Sequence, residues 1–156
     1  MTSTNRRRLL LGAALIPLMA RGVATARAAT PQLELWKMRG CSCCEAWARH
    51  MEDAGFAVTS HEVADVDPFR AAAGVPAALT GCHTAKVDGY VVEGHVPADS
   101  VRRLLAERPP AVLGLSVPGM PVGSPGMEVE GEKGDPYDVV AFARDGSWSV
   151  YAAVRP

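Results

Sequence analysis

Three cysteines lie within four positions of one short stretch, RGCSCCEAW at residues 39–47. They are Cys41, Cys43 and Cys44. The whole chain contains one other cysteine, Cys82. The apolar stretch LELWK at 33–37 comes just before the cluster, and a run with helical spacing follows it at 43–54. We therefore expect a strand to lead into a helix whose amino end carries the three thiols.

A helix amino terminus favours thiolate over thiol, because its unpaired N–H groups and the helix dipole stabilise negative charge. Thiolate is the form that attacks disulfides and also the form that binds metals. The cluster is accordingly compatible with structural disulfides, with a thiol–disulfide oxidoreductase, or with a soft-metal site.

Structural disulfides are allowed by an even number of cysteines in an exported chain. A bridge between the neighbours Cys43 and Cys44 would be strained, so bridges 41–44 or 43–82 are favoured over it. The oxidoreductase interpretation uses the C-x-x-C pair of Cys41 and Cys44, with Val75-Pro76 placed where such folds carry a proline facing the cysteines. Cys43 argues against it, since it would compete as a nucleophile beside the active pair.

A soft-metal site is the interpretation that composition favours. Thiolates select Cu(I), Zn(II) and iron–sulfur clusters over hard cations, and Cys82 on a neighbouring strand could complete a set of four. The side chains of Cys43 and Cys44 are adjacent and are expected to diverge. That divergence argues against one tetrahedral zinc ion and favours thiolates that bridge several Cu(I) ions.

Other soft or imidazole donors occur later in the chain, and both types suit copper. They are His83, His95, Met120 and Met127. Each has an ordinary structural alternative, because a histidine often serves only as a hydrogen-bonding residue and methionine commonly fills gaps in packing.

Residues 1–28 have the pattern of a cleavable export signal, with Arg6, Arg7 and Arg8 before an apolar run at 9–20 and Ala26-Arg27-Ala28 at the end. The arginines are equally compatible with a twin-arginine signal. Cleavage would leave residues 29–156, predicted to be a single domain in the periplasm. The apolar run is too short to span a bilayer as a helix, so no membrane span is expected in the mature form.

The charge balance excludes some partners. The first 28 residues hold five of the 16 basic residues and none of the 17 acidic ones, so residues 29–156 have a net charge of −6. Such a surface is unsuited to nucleic acid or an anionic membrane.

The order of predicted elements is typical of an α/β, thioredoxin-like fold followed by a Pro/Gly-rich loop and a β-hairpin. The predicted strands are 33–37, 56–63, 77–84, 87–92, 137–143 and 147–154, the helices are 43–54, 65–74 and 98–109, and the loop is 109–127.

Several motifs in this order resemble the CopG-type copper-resistance family of small exported bacterial proteins. The motifs are CSCC, GVP, CHTA, DGYVVEGHVP, GLSVPGMPVGSPGM and the closing YDV, and the resemblance spans residues 33–155. Ser42 departs from the glycine that is usual in the family. The resemblance implies a thioredoxin-like domain whose C-x-C-C cysteines and CHTA cysteine hold a multinuclear copper–thiolate cluster, with a suggested copper redox role.

We therefore expect a periplasmic protein that holds Cu(I) on Cys41, Cys43, Cys44 and Cys82 in copper resistance or homeostasis. Sequestration, delivery to other periplasmic copper-handling proteins and Cu(I)/Cu(II) interconversion are all compatible with these residues. The enzymatic version gives the cluster a redox task, with His83 and His95 accommodating Cu(II) nearby. The alternative is a thiol–disulfide oxidoreductase that uses Cys41 and Cys44.

Overall fold

Seven strands form one sheet in the order β2-β1-β3-β4-β5-β6-β7 in the computed structural model, which describes residues 29–156. The signal predicted at 1–28 lies outside the described residues. The strands are β1 (Gln32–Met38), β2 (Ala57–Val63), β3 (Thr84–Val87), β4 (Tyr90–Gly94), β5 (Gly114–Val117), β6 (Tyr137–Phe142) and β7 (Trp148–Val154). The helices are α1 (Ser42–Asp53), α2 (Asp67–Ala72) and α3 (Ala98–Glu107), and a short 3₁₀ turn covers Ala77–Leu79. The predicted α/β class is confirmed.

The sheet has two parts with different connections. In the amino-terminal part, β1 and β2 are parallel and joined through α1, while β3 is antiparallel to both β1 and β4. In the carboxy-terminal part, β5 runs parallel to β4, and β6 and β7 follow as antiparallel neighbours. The second part therefore extends the first sheet at the β4 edge.

Helix α1 forms over an amphipathic stretch. Its buried residues recur at helical spacing, and all of them except Cys44 belong to the main core together with Leu33 and Leu35 of β1. The buried residues of the helix are Cys44, Trp47, Ala48 and Met51. Ala54 is the C-cap of the helix, and Gly55 follows with a φ of +88°, a conformation that glycine adopts without strain. This packing fixes the first turn of α1 at the end of β1.

Two expectations about elements were wrong. The strand predicted at 77–84 begins only at Thr84, because residues 77–79 form the 3₁₀ turn, where the Ser116 hydroxyl donates a hydrogen bond of 2.6 Å to the Leu79 carbonyl. The region 109–127, predicted as irregular, contains β5. The four residues of β5 are buried, and the strand lies between β4 and β6. Pairing with these two strands outweighs the preference of a Pro/Gly-rich segment for irregular structure. The other predicted elements are confirmed with small shifts at their ends.

Among residues 29–156, no helix combines the length and the apolar character needed to cross a bilayer. The prediction of a single domain at 29–156 stays a prediction.

Substitution of Gly114 by alanine should destabilise the joint between the two parts of the sheet. An added Cβ would overlap the Val91 carbonyl oxygen and lie 2.8 Å from Cζ of Phe142. We expect a loss of about 1–3 kcal/mol in the free energy of unfolding, the usual range for overpacking, measured by urea denaturation. Ser149→Ala on the exposed strand β7 is the control, and an equally stable Gly114→Ala would contradict the close approach of β4 and β5.

Candidate metal centre

The fold brings Cys82 to the cysteines of α1 through the pairing of β1 with β3. Trp36 of β1 pairs with Thr84 of β3 in antiparallel register. The residues just before Thr84 consequently lie beside the end of β1, where α1 begins. Cys41 is the N-cap of α1 in an extended conformation, and Cys43 lies in the first turn.

The four sulfur atoms occupy one small volume, with all of them within 4.8 Å of one another. The Sγ of Cys82 lies 3.3 Å from the Sγ atoms of Cys41 and Cys44 and 3.5 Å from that of Cys43. The Cys41 and Cys43 sulfurs are 3.5 Å apart. The structure therefore brings all four predicted ligands together at the amino end of α1.

The expected divergence of Cys43 and Cys44 was wrong. Although the residues are adjacent, both side chains reach the Cys82 sulfur, because the first turn of the helix wraps around the position that Cys82 occupies. Divergence of these two side chains can therefore no longer be used as an argument against a single bound ion.

Two of the four sulfurs are oxidised in this structure. Cys41 and Cys44 form a disulfide, whereas Cys43 and Cys82 are free thiols. This is one of the bridges that the spacing allowed. Adding two electrons and two protons would convert the bridge to two thiols and leave four thiols at the site.

The surroundings oppose negative charge on the free thiol of Cys82. Burial, followed by the hydrogen bond and charge interaction with Cys43, raises the pKa of Cys82 to about 12. Arg70 acts in the opposite direction, and its effect is smaller. In addition, Cys44 is fully buried. Several thiolates could therefore coexist here only with cations among them.

Two buried histidines lie next to Cys82. One ring nitrogen of His83 and one of His95 form, with the Cys82 sulfur, a second group of atoms within 4.8 Å of one another, and the centroids of the two rings are 5.0 Å apart. Burial lowers the pKa of His83 well below its usual value, with a further contribution from His95, and burial also lowers the pKa of His95. Both imidazoles are therefore neutral at neutral pH, which is the form that binds metal.

Three ring nitrogens of this pair have no hydrogen-bond partner among the described residues. They are both nitrogens of His83 and Nε2 of His95. The remaining nitrogen, Nδ1 of His95, is 2.7 Å from the Pro125 carbonyl oxygen. An unpaired buried polar atom costs about 1–3 kcal/mol, and buried nitrogens next to a thiol suit a soft metal. Trp47 covers His83, with ring centroids 4.3 Å apart.

The two Pro-Gly-Met repeats of the loop are placed differently. Gly126 of the second repeat packs directly on α1, since an added Cβ would lie 2.7 Å from the Cys43 carbonyl oxygen. Met127 follows it and is partly buried. In the first repeat, Gly119 has open space around its Cα, and Met120 is 41% exposed. The second repeat therefore covers the cysteine helix, and the first does not.

Two further residues of the site carried no recognisable signal in the sequence. Arg70 on α2 and Glu93 on β4 form an ion pair of 2.7 Å beside Cys82. The fully buried position of Glu93 follows from sheet pairing, which residue patterns do not reveal.

Fold and site together define an α/β protein with a soft-donor centre at a helix amino terminus. Two solved structures are similar to this chain, both of a copper resistance protein CopG, named form 1 and form 2. Each is 41% identical, with a TM-score of 0.76, and the match covers 82% and 81% of this chain, respectively, and 100% of the other chain. A family model described as a protein of unknown function, DUF411, matches residues 79–127. None of the curated proteins matches the chain in sequence.

This chain belongs to the CopG copper-resistance family. The resemblance inferred from the sequence motifs is thereby confirmed.

The two Pro-Gly-Met repeats offer a matched pair of substitutions. Gly119 and Gly126 both have positive φ, at +77° and +85°, so alanine at either position should cost roughly 1–2 kcal/mol of backbone strain. Gly126→Ala should cost about 1–3 kcal/mol more, because its Cβ would press on α1. The measurement is the free energy of unfolding of the two variants. Equal losses would mean that the second repeat does not pack on the cysteine helix.

Proposed function

We propose that this protein binds Cu(I) through Cys41, Cys43, Cys44 and Cys82 and acts in copper resistance or homeostasis in the periplasm. Copper is the cargo of this site. The observation that carries the proposal is the convergence of four sulfurs within 4.8 Å, where burial disfavours thiolate unless cations are present. Membership in a family that includes a copper resistance protein supports the choice of copper.

We propose further that copper is held as a multinuclear thiolate cluster. Cys82 belongs to both donor groups, the four sulfurs and the Cys82–His83–His95 group. A thiolate shared by two sets of donors is suited to bridging two ions. The unpaired nitrogens of His83 and His95 would supply neutral ligands, which suit copper in either oxidation state.

The Cys41–Cys44 pair, in its reduced dithiol form, gives the site a redox partner for copper. In the reduced protein, oxidation of the Cys41 and Cys44 thiols to the disulfide releases two electrons and two protons. The two electrons reduce two Cu(II) to two Cu(I), and the remaining thiols keep a soft site for the product. An external thiol reductant then restores the dithiol. This step would make the protein a copper oxidoreductase.

We also assign residues 32–107 to a thioredoxin-like core with a carboxy-terminal extension. In support, the sheet order β2-β1-β3-β4, with β1 parallel to β2 and β3 antiparallel, is the arrangement expected for that fold. The C-x-x-C motif lies at the amino end of the helix after β1, as the sequence order predicted.

A thiol–disulfide oxidoreductase is the second candidate function. The Cys41–Cys44 disulfide favours it, since such enzymes alternate between the bridged and reduced C-x-x-C pair. The contacts of Cys82 with both bridged sulfurs count against it. A third and fourth sulfur so close to the active pair would form competing disulfides within the molecule.

Copper titration of the reduced protein under anaerobic conditions should separate the two functions. We expect several Cu(I) per chain, bound tightly enough to compete with a strong chelator, and a lower count for Cys82→Ser, which removes the shared sulfur. A model-disulfide reduction assay provides the contrast. Two results would contradict the copper proposal. One is a protein that contains only zinc and takes up no Cu(I), and the other is a rate of disulfide reduction that changes neither with Cys82→Ser nor with copper removal.

Substitution of His83 by leucine tests the second donor group. His83→Leu removes two buried nitrogens without hydrogen-bond partners, so the copper-free protein should be as stable as the wild type or more stable by about 1–3 kcal/mol. Copper uptake, in contrast, should weaken.

The matched control for that test is His50→Leu. The Nε2 of His50 accepts a hydrogen bond of 3.1 Å from the Ala98 N–H, so its loss should destabilise the protein by about 1 kcal/mol and leave copper binding unchanged. Thermal unfolding and chelator competition measure the two effects. A destabilised His83→Leu with normal copper uptake would show that His83 is a packing residue only.

A further inference from the structure

Cys82 lies in a segment just outside the hydrogen-bonded pairing of β3 with β4. The ladder of β3 begins at Thr84, which pairs with Glu93 of β4, so Cys82 lies two residues outside it. The backbone next to Cys82 does have one ladder-like bond, from the Gly94 N–H to the His83 carbonyl at 2.8 Å. The placement of the Cys82 sulfur therefore depends on contacts beyond regular sheet pairing.

The carboxylate of Glu93 holds both flanks of this segment. Its Oε1 accepts a hydrogen bond of 2.7 Å from the Gly81 N–H, and its Oε2 accepts one of 2.6 Å from the Thr84 hydroxyl. Gly81 and Thr84 stand on either side of the Cys82-His83 pair. Glu93 is fully buried, so solvent does not compete for these bonds.

Arg70 completes the arrangement from α2. Its Nε donates to Glu93 Oε1 at 2.7 Å, and its second guanidinium nitrogen donates to the Gly81 carbonyl at 2.8 Å. The planar fork of arginine allows it to make both bonds at once, which lysine cannot do. Both backbone polar groups of Gly81 are thereby bound by the Arg70–Glu93 pair.

Stability alone is a weak reason for a buried ion pair. Removing two charges from water costs about as much as their attraction returns, and apolar replacements are often equally stable. The value of this pair lies in its geometry, because three directional bonds hold Gly81 and Thr84 and a fourth joins Arg70 to Glu93. Gly81 has no freedom to move toward β4, since even a Cβ there would lie 2.6 Å from the Gly94 Cα.

We propose that Arg70 and Glu93 are positioning residues that hold the Cys82 sulfur against the cysteines of α1. The role does not require contact with copper. Its consequence for copper rests on the proposed function, in which Cys82 is the sulfur shared by the two donor groups.

A double-substitution cycle with Cys82→Ser tests the proposal. Glu93→Ala should weaken Cu(I) binding by about 10–100-fold, the usual effect of losing a group that orients a ligand. In the Cys82→Ser background the same substitution should have no further effect, since the sulfur that it positions is gone. Chelator competition on the anaerobic, reduced protein measures all four combinations.

Equal losses in both backgrounds would show that Glu93 acts on the fold as a whole, and no loss in either would show that it does not position Cys82. Both outcomes overturn the proposal. If Glu93→Ala does not fold, Glu93→Gln and Arg70→Lys take its place in the same cycle of measurements. Glu107→Ala is the charge-matched control, because Glu107 forms an exposed pair with Arg103 on α3 and should leave copper binding unchanged.

A copper-free measurement separates failure of this proposal from failure of the proposed function. In a Cys41→Ser/Cys44→Ser background, the Cys43 and Cys82 thiols are 3.5 Å apart in the structure. Diamide should oxidise them to one disulfide, itself becoming the hydrazide. Glu93→Ala should slow this closure about tenfold or more, as expected for displaced reacting groups. An unchanged rate would overturn the positioning role even if copper binding is never detected.

Discussion

Crowding of four sulfur atoms is the constraint on which the rest of the site depends. Two unit charges 4 Å apart repel by roughly 4 kcal/mol at an effective dielectric constant of 20, and four thiolates would form several such pairs within 4.8 Å. The protein has two ways to relieve that repulsion. One is the covalent bridge between Cys41 and Cys44 seen here, and the other is a soft cation shared among the sulfurs.

Neighbouring elements hold the four sulfurs together. The buried stripe of α1 packs on β1 and sets the positions of Cys43 and Cys44. From the opposite side, the β1–β3 pairing brings Cys82 to the same place. The carboxy-terminal extension then closes the site, with β5 paired to β4 and the second Pro-Gly-Met repeat lying on α1. The extension therefore packs around the site, although the donors themselves all come from residues before it.

The two candidate functions share this architecture and differ in what relieves the charge. A disulfide exchanger needs only Cys41 and Cys44, and would gain nothing from two buried histidines whose nitrogens lack partners. A copper site uses all of these donors, and the reduced Cys41 and Cys44 thiols would be its electron source, with the bridge as their oxidised product. The neutral imidazoles and the shared Cys82 sulfur favour the copper interpretation on physical grounds, in agreement with the family to which the chain belongs.

Local patterns in the sequence were sufficient for much of this protein. The cysteine cluster led to the prediction that four sulfurs would meet, the apolar periodicity predicted α1 and most strands, and the motifs predicted the family. Sequence could not predict β5, the late start of β3 at Thr84, the convergence of Cys43 and Cys44 on one sulfur, or the buried pairing of Arg70 with Glu93. These features depend on contacts between residues far apart in the chain. A strand that becomes buried between two neighbours, or a carboxylate that becomes buried against a loop, acquires its partners only when the sheet assembles, so tertiary structure alone decided them.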